Sequence, residues 1–257
     1  MAATWASAAE KMGLRPASVD VWLAFGDPNA PFEDTAAYLT PDEHERARRF
    51  VFARDRRRFV FARGVLRHLL GAYLQIAPAD VRFTYASHGK PALAAGMDGV
   101  EFNMSHSDEA VVIAVSSAGP VGIDIEAIRV MRERDDVARR TFADGEYRRL
   151  CALDEVRRTE GFFTCWTRKE AFVKALGEGL SHPLDRFEVT LAPDDPPRLL
   201  HLDGDAQRAA EWTIASLPPV TGFAGALALK GTAAVSCFRY PLNPAAEWAA
   251  VSERCMA

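Results

Sequence analysis

Cysteine is scarce and never paired in this sequence. Cys151, Cys165, Cys237 and Cys255 lie far apart with no C-x-x-C spacing. That excludes a zinc ribbon or dithiol redox motif and fits reduced thiols in the cytoplasm. Long apolar runs are missing too. No stretch approaches the roughly 18 residues needed to cross a bilayer, and Met1 to Ser18 lacks the apolar core of a signal peptide. The expectation is a cytoplasmic chain with no membrane partner. Charge of one sign is also lacking: the net of -4 argues for no polyanionic partner. There is no G-x-x-x-x-G-K-[ST], no strand-linked G-x-G-x-x-G, no H-E-x-x-H and no G-x-S-x-G. P-loop hydrolysis, Rossmann redox chemistry, zincin proteolysis and the α/β-hydrolase route therefore have no footing.

What is present is a chain of 257 residues, enough to bury a substantial core as one domain or as two halves. Val19 to Phe25 alternates as a strand does. Thr40-Pro41-Asp42-Glu43 reads as a helix start, with Glu43 placed to close a capping box. A second helix is predicted over Asp55 to Ile76, ended by Pro78. Strands are predicted over Val81–Tyr85, Val100–Met104, Ala110–Val115 and Val121–Glu126. Residues 129–160 are polar and helical in character, and a helix runs from about Gly161 to Leu176 with Gly177 as its C-cap. Strands follow over 187–191, 198–202, 212–216, 223–229 and 233–238. Helices and strands do not alternate as a parallel sheet demands, so the class is α+β. The best boundary is the turn near Gly119, dividing the chain into 1–118 and 119–257.

Five segments could carry chemistry. In Gly122-Ile123-Asp124-Ile125-Glu126 the two acids share one strand face, about 7 Å apart. Their repulsion is roughly 2 kcal/mol at an effective dielectric near 20, which a cation would offset. Taken alone, a solvated strand face explains a bare D-x-E better. In Trp166-Thr167-Arg168-Lys169-Glu170-Ala171-Phe172-Val173-Lys174, helical spacing puts Trp166, Glu170 and Lys174 on one stripe. That stripe suits a cleft edge, although a surface ion pair beside a core aromatic would read the same. In Phe102-Asn103-Met104-Ser105-His106-Ser107, adjacent strand residues face opposite ways, so Ser105 and His106 cannot pair as nucleophile and base. As a strand end feeding a loop, this segment suits the presentation of polar groups to a ligand. Lys90 in His88-Gly89-Lys90-Pro91 sits on a turn and could reach a phosphate. The arginines from Arg46 to Arg67 go all round a helix rather than along one stripe. Those near Arg49 could grip a phosphate, and most of the others are expected to be solvated.

The order G-K-P, F-N-M-S-H-S, G-I-D-I-E and W-T-R-K-E-A-F-V-K resembles the 4′-phosphopantetheinyl transferases of the longer, Sfp-like type. The likeness extends to Arg49–Asp55 upstream and to Gly179-Leu180-Ser181 with Pro183-Leu184 downstream. It implies two similar α+β halves related by a pseudo-two-fold, each a small, largely antiparallel sheet packed with helices. Coenzyme A would bind in the cleft between them, as co-substrate. The implied reaction moves the phosphopantetheine arm of coenzyme A to a serine of an apo carrier protein and releases adenosine 3′,5′-bisphosphate. By the same resemblance Asp124, Glu126 and Glu170 hold Mg²⁺, with Mn²⁺ the alternative, and their hard oxygens suit either ion. Glu170 is the candidate base, Lys174 stabilises the pyrophosphate, and His106 and Ser105 contact the phosphates. Lys90 holds the nucleotide end, and Arg49 with Arg46 binds the 3′-phosphate. The implied partners are carriers of polyketide, peptide or fatty acid synthases, served by a monomer. Glu43 departs from the lysine some relatives carry there, and residues 129–160 match poorly. Two other readings stand beside the transferase: an arginine-dependent nucleic-acid-binding protein, and a non-catalytic coenzyme A-binding relative.

Overall fold

Alternation of apolar side chains sets the strands, and two long helices cover them. The computed structural model describes residues 6–7, 14–26, 33–85, 91–177, 182–192 and 194–241. Strands β1 (Ala6–Ser7) and β2 (Ser18–Phe25) precede helices α1 (Glu33–Ala36), α2 (Pro41–Arg48) and α3 (Ala53–Leu74). Strands β3 (Phe83–Tyr85), β4 (Pro91–Leu93), β5 (Glu101–Ser107), β6 (Ala110–Ser116) and β7 (Val121–Ala127) form the middle of the chain. Helices α4 (Arg134–Thr141), α5 (Asp144–Cys151) and α6 (Glu155–Leu176) come next. The last part holds β8 (Phe187–Val189), β9 (Leu199–Leu202), α7 (Ala206–Ala210), β10 (Trp212–Ser216), β11 (Phe223–Lys230) and β12 (Ala234–Arg239).

Two sheets carry the architecture: β1-β12-β2-β6-β5 and β10-β11-β7, with the small pairs β3-β4 and β8-β9 beside them. The fold is α+β, as expected, with antiparallel pairing throughout except at β12–β2 and β1–β12. That exception matters for the chain's division, because β12 comes from the C-terminal end yet lies in the sheet of the first half.

A period of two sorts side chains between layers. Val19, Val21 and Leu23 of β2 and Val112 and Ala114 of β6 face a central core, where they meet Val121, Ile123, Ile125, Leu227 and Leu229 of the second sheet. The opposite face of the first sheet, with Trp22, Val111, Ile113 and Val115, packs on Val65, Leu66, Leu69 and Leu70 of α3. The opposite face of the second sheet, with Ala226 and Ala228, packs on Phe162, Cys165, Phe172 and Val173 of α6. The order of layers is helix, sheet, sheet, helix, and α3 and α6 are each 22 residues long.

Two boundaries differ from the sequence reading by more than two residues. Strand β5 does not end at Met104 but continues through Ser107, because β6 pairs with it up to Ser107–Ala110. The turn is made by Asp108 in the left-handed region (φ 50°), a conformation that Asp tolerates. Helix α6 begins at Glu155 rather than near Gly161, with the Asp154 carboxylate accepting from Arg157 N–H at 3.0 Å. Gly177 closes it with φ 79°, the expected glycine cap.

On β7, Ile123 and Ile125 enter the central core, so Gly122, Asp124 and Glu126 face α6. Gly122 lets that helix come close. A Cβ there would stand 1.9 Å from Ala171 O and 2.4 Å from Ala175 N. Both are backbone atoms and cannot rotate away. Gly122→Ala should therefore cost about 3 kcal/mol or more, read as a fall in Tm, because overpacking here can be relieved only by moving α6 off the strand. A stability near that of the parent would contradict the packing.

Candidate active site

The first sheet ends at β5 and the second at β7, and these two edges meet. An edge strand has bare N–H groups that need partners when buried. Side chains supply them here, in place of a backbone ladder. Asn103 Oδ1 accepts Ile123 N–H at 3.0 Å, and Ser107 Oγ accepts Ala127 N–H at 3.0 Å. Ser105 Oγ donates to Asp124 Oδ1 at 2.6 Å, and Ser107 Oγ donates to Glu126 Oε2 at 2.8 Å. The alternation of F-N-M-S-H-S explains this, since Asn103, Ser105 and Ser107 share one face of β5 while Met104 and His106 share the other.

From α6, Lys174 Nζ donates to Asp124 Oδ1 at 2.7 Å and to Ile123 O at 3.2 Å. Glu170 lies one turn earlier, within the field of Asp124, Glu126 and Lys174. Burial first, then the Asp124 charge, hold the Glu170 carboxyl above its ordinary range, although Lys174 works against them. Glu126 is raised as well, by burial and by Asp124, against the Ser107 hydrogen bond. Asp124 Oδ2 and Glu170 Oε1 are buried with no hydrogen-bond partner. Buried polar atoms without partners are rare and costly.

Among the described residues, no three His, Cys, Asp or Glu side chains close into a ready-made metal cage. The serine hydroxyls and the Lys174 ammonium take up lone pairs that a cation would otherwise share. The donor set nonetheless suits a small hard cation: three carboxylates, two of them raised by burial and mutual repulsion, and two orphaned oxygens. Trp166, expected on the same stripe, stacks on Phe162 at 6.0 Å against the core beneath α6.

The other face of β5 opens onto a cavity of about 430 Å³ between it and α3. Arg46, Phe50, Phe59, Tyr85 and His106 are among the residues that line it. The Arg46 guanidinium stands over the Phe59 ring, 5.1 Å from its centroid. Protein packed around His106 lowers its pKa, and the Lys174 and Arg58 charges lower it further, while Asp124 opposes them. His106 thus faces the cavity, on the side of β5 away from the carboxylates, and feels Asp124 only through its charge. Ser105, expected to contact phosphates, instead turns inward to Asp124. Arg49 lies outside the cavity wall, three-quarters exposed beside Glu45 at 3.9 Å. Lys90 and the segment Gly179-Leu180-Ser181 lie outside the described residues.

The arginine stretch has two exceptions to its expected solvation. Arg63 and Arg67 are buried, not solvated, and both close on Glu43. Glu43 Oε2 accepts from Arg67 Nε at 2.6 Å and from Thr40 N–H at 3.1 Å, the latter being the capping contact expected from sequence. Arg63 Nε donates to Oε1. Arg58 donates to Glu109 at 2.9 Å. Arg58, Arg63 and Arg67 spend their charge on acids of the protein itself, which leaves only part of the stretch to face a nucleic-acid backbone. The acid at Glu43 follows from its two arginines rather than from any phosphate.

Sequence reasoning missed Asn103 and Ser107. The available signal was three small polar residues, Asn103, Ser105 and Ser107, at every second position of one strand.

Residues 27–118 match the family model described as 4′-phosphopantetheinyl transferase, N-terminal, and residues 120–228 match the 4′-phosphopantetheinyl transferase superfamily. Over 231 residues the chain is 36% identical to the 4′-phosphopantetheinyl transferase HetI of Nostoc sp., a match covering 89% of this chain and 94% of that one. It is 35% identical over 158 residues to the 4′-phosphopantetheinyl transferase Sfp of Bacillus subtilis, covering 62% and 69%. It is 31% identical over 191 residues to the L-aminoadipate-semialdehyde dehydrogenase-phosphopantetheinyl transferase of Homo sapiens, covering 68% and 61%.

The Glu43 cluster yields a prediction of its own. Burial alone would raise this carboxyl, but the Arg67 hydrogen bond and the Arg63 charge outweigh burial and hold it below the usual range. Its stabilisation is then fully present above the unfolded value of about 4.3 and is lost as pH falls through the lower folded value. Glu43→Gln should cost about 3–5 kcal/mol near neutral pH, because two buried guanidinium groups lose their counter-charge. In urea titrations the gap between variant and parent should narrow below about pH 4. A constant gap would contradict the assignment.

Proposed function

The chain belongs to the 4′-phosphopantetheinyl transferase superfamily, and from that premise we propose how its residues move the phosphopantetheine arm of coenzyme A onto an apo carrier protein. The observation that carries the reading is the pair of buried, unpartnered oxygens, Asp124 Oδ2 and Glu170 Oε1, with a cavity lined by Arg46, His106 and aromatic rings on the other face of β5. Asp124, Glu126 and Glu170 would hold Mg²⁺ or Mn²⁺, which when bound supplies charge neutralisation on the pyrophosphate oxygens.

The serine hydroxyl of the carrier attacks the phosphorus that bears the pantetheine arm. The new bond joins serine Oγ to that phosphorus, and the bond to the bridging oxygen breaks. Adenosine 3′,5′-bisphosphate leaves, and the serine proton passes to the Glu170 carboxylate. A carboxyl raised by burial and neighbouring acids is a stronger base than an exposed glutamate, which suits that task. Lys174, on the next turn of α6, stabilises negative charge on the pyrophosphate and leaving phosphate. His106 supplies a hydrogen bond to the phosphates from the cavity wall, with Ser105 behind it on β5. Arg46 takes the 3′-phosphate with Arg49 at the rim, and Lys90 the nucleotide end.

We propose a division near residue 119, a reading supported by the two family matches, to residues 27–118 and 120–228. We assign the carriers to polyketide, peptide or fatty acid synthases, and the chain to the cytoplasm as a monomer. No helix among the described residues is long and apolar enough to cross a membrane.

The test is to mix the protein with coenzyme A, Mg²⁺ and a panel of apo carrier domains and to weigh each carrier. At least one carrier should gain one phosphopantetheine mass, and a chelator should prevent the gain. Glu170→Ala should slow transfer by about 10²–10⁴-fold with Tm preserved. No gain on any carrier would overturn the proposal, and near-parental activity of Glu170→Ala would overturn the role of that residue.

A further inference from the structure

The hydroxyl of Ser107 is committed at both ends. Its oxygen accepts Ala127 N–H at 3.0 Å and its one proton goes to Glu126 Oε2 at 2.8 Å. A serine hydroxyl has a single proton to give, so with its oxygen engaged by a backbone amide the direction of that proton is fixed. The amide belongs to β7, the strand that carries Glu126, so hydroxyl and carboxylate are indexed to one piece of backbone. Ser105, two residues earlier on the same face, donates to Asp124 Oδ1 at 2.6 Å. Lys174 Nζ meets that same oxygen at 2.7 Å, while Asp124 Oδ2 has no partner. Each serine therefore anchors one oxygen of a carboxylate and leaves the other available. Asn103, at the third position of the series, differs. Its Oδ1 accepts Ile123 N–H at 3.0 Å, and it serves the strand edge with no hydrogen bond to either acid among the described residues.

We infer that Ser107, together with Ser105, is a positioning residue that orients Glu126 and Asp124 so that one oxygen of each is presented to a divalent cation. The inference rests on the cation reading of the preceding section and deepens it. Carboxylates that ligate metals depend on hydrogen bonds from behind, and loss of such a partner typically weakens metal affinity 10–100-fold. The first half of the chain thereby tunes a cation site whose ligands all come from the second half.

The experiment uses the full chain and Mn²⁺ alone, read by loss of the free-ion electron paramagnetic resonance signal, with Tm measured in parallel. Ser107→Ala should weaken Mn²⁺ binding about 10–100-fold, and Ser107→Thr, which keeps a hydroxyl, should restore most of it. Asn103→Leu is the structural control: it removes one seam hydrogen bond, so Tm should fall as in Ser107→Ala while Mn²⁺ affinity stays at the parental value. Equal Mn²⁺ affinity in Ser107→Ala and parent, or equal weakening in Asn103→Leu, would overturn the inference and leave Ser107 as a seam residue only. Absence of Mn²⁺ binding by the parent itself would sink the cation reading, and this inference with it.

Discussion

Everything in the site hangs on how two strand edges satisfy each other. Strand β7 closes the second sheet and β5 closes the first, and no backbone ladder joins them. Asn103 and Ser107 take up N–H groups of Ile123 and Ala127 through side-chain oxygens. A ladder would have consumed the backbone groups and left the side chains to the two faces. Joining by side chains instead brings polar groups of the first sheet against the acids of the second. The same contact turns His106 the other way, into the cavity beside α3. The absence of a side chain at Gly122 completes the arrangement by letting α6 settle on β7, which carries Glu170 and Lys174 to Asp124.

Three groups of buried charge separate structure from function. Glu43 is saturated by Arg63, Arg67 and the Thr40 amide. Glu146 and Lys169, both fully buried, meet at 2.8 Å, and each fills its remaining valences with backbone groups of Ala143, Val189, Leu184 and Phe187. These clusters are closed, and breaking either would strand a charge. The group at Asp124, Glu126 and Glu170 is open: among the described residues Lys174 is the cation bonded to it, Arg129 acts on Glu126 through its charge, and two oxygens lack hydrogen-bond partners. A folded chain retains such an imbalance where function requires it, at some cost in stability. The open cluster lies where the edges of the two sheets meet, and the closed ones lie to either side.

Much of this was legible from residue order. The capping box at Thr40, the 3.6-residue period of α3 and α6, and the glycine cap at Gly177 follow from local preferences that the tertiary fold does not override. The placement of Asp124 and Glu126 on one strand face needed only a period of two. What could not be read was long-range. The return of β12 to pair with β2 depends on a partner more than 200 residues away. Burial of Arg63 and Arg67 depends on Glu43 at 20 and 24 residues' distance. The extension of β5 through Ser107 depends on its register with β6, which no local propensity of Ser-His-Ser announces.

The central claim is that one site is shared between the halves, with coenzyme A held by the cavity of the first and a divalent cation by the acids of the second. Calorimetric titration of coenzyme A with and without Mn²⁺ tests this directly, on the parent chain and on Asp124→Asn. The account predicts that Mn²⁺ tightens coenzyme A about 10-fold or more in the parent and leaves the variant unchanged, because ligands that meet in one site are thermodynamically coupled. Coenzyme A affinity in the parent that is indifferent to Mn²⁺, or full coupling that survives in Asp124→Asn, would contradict it.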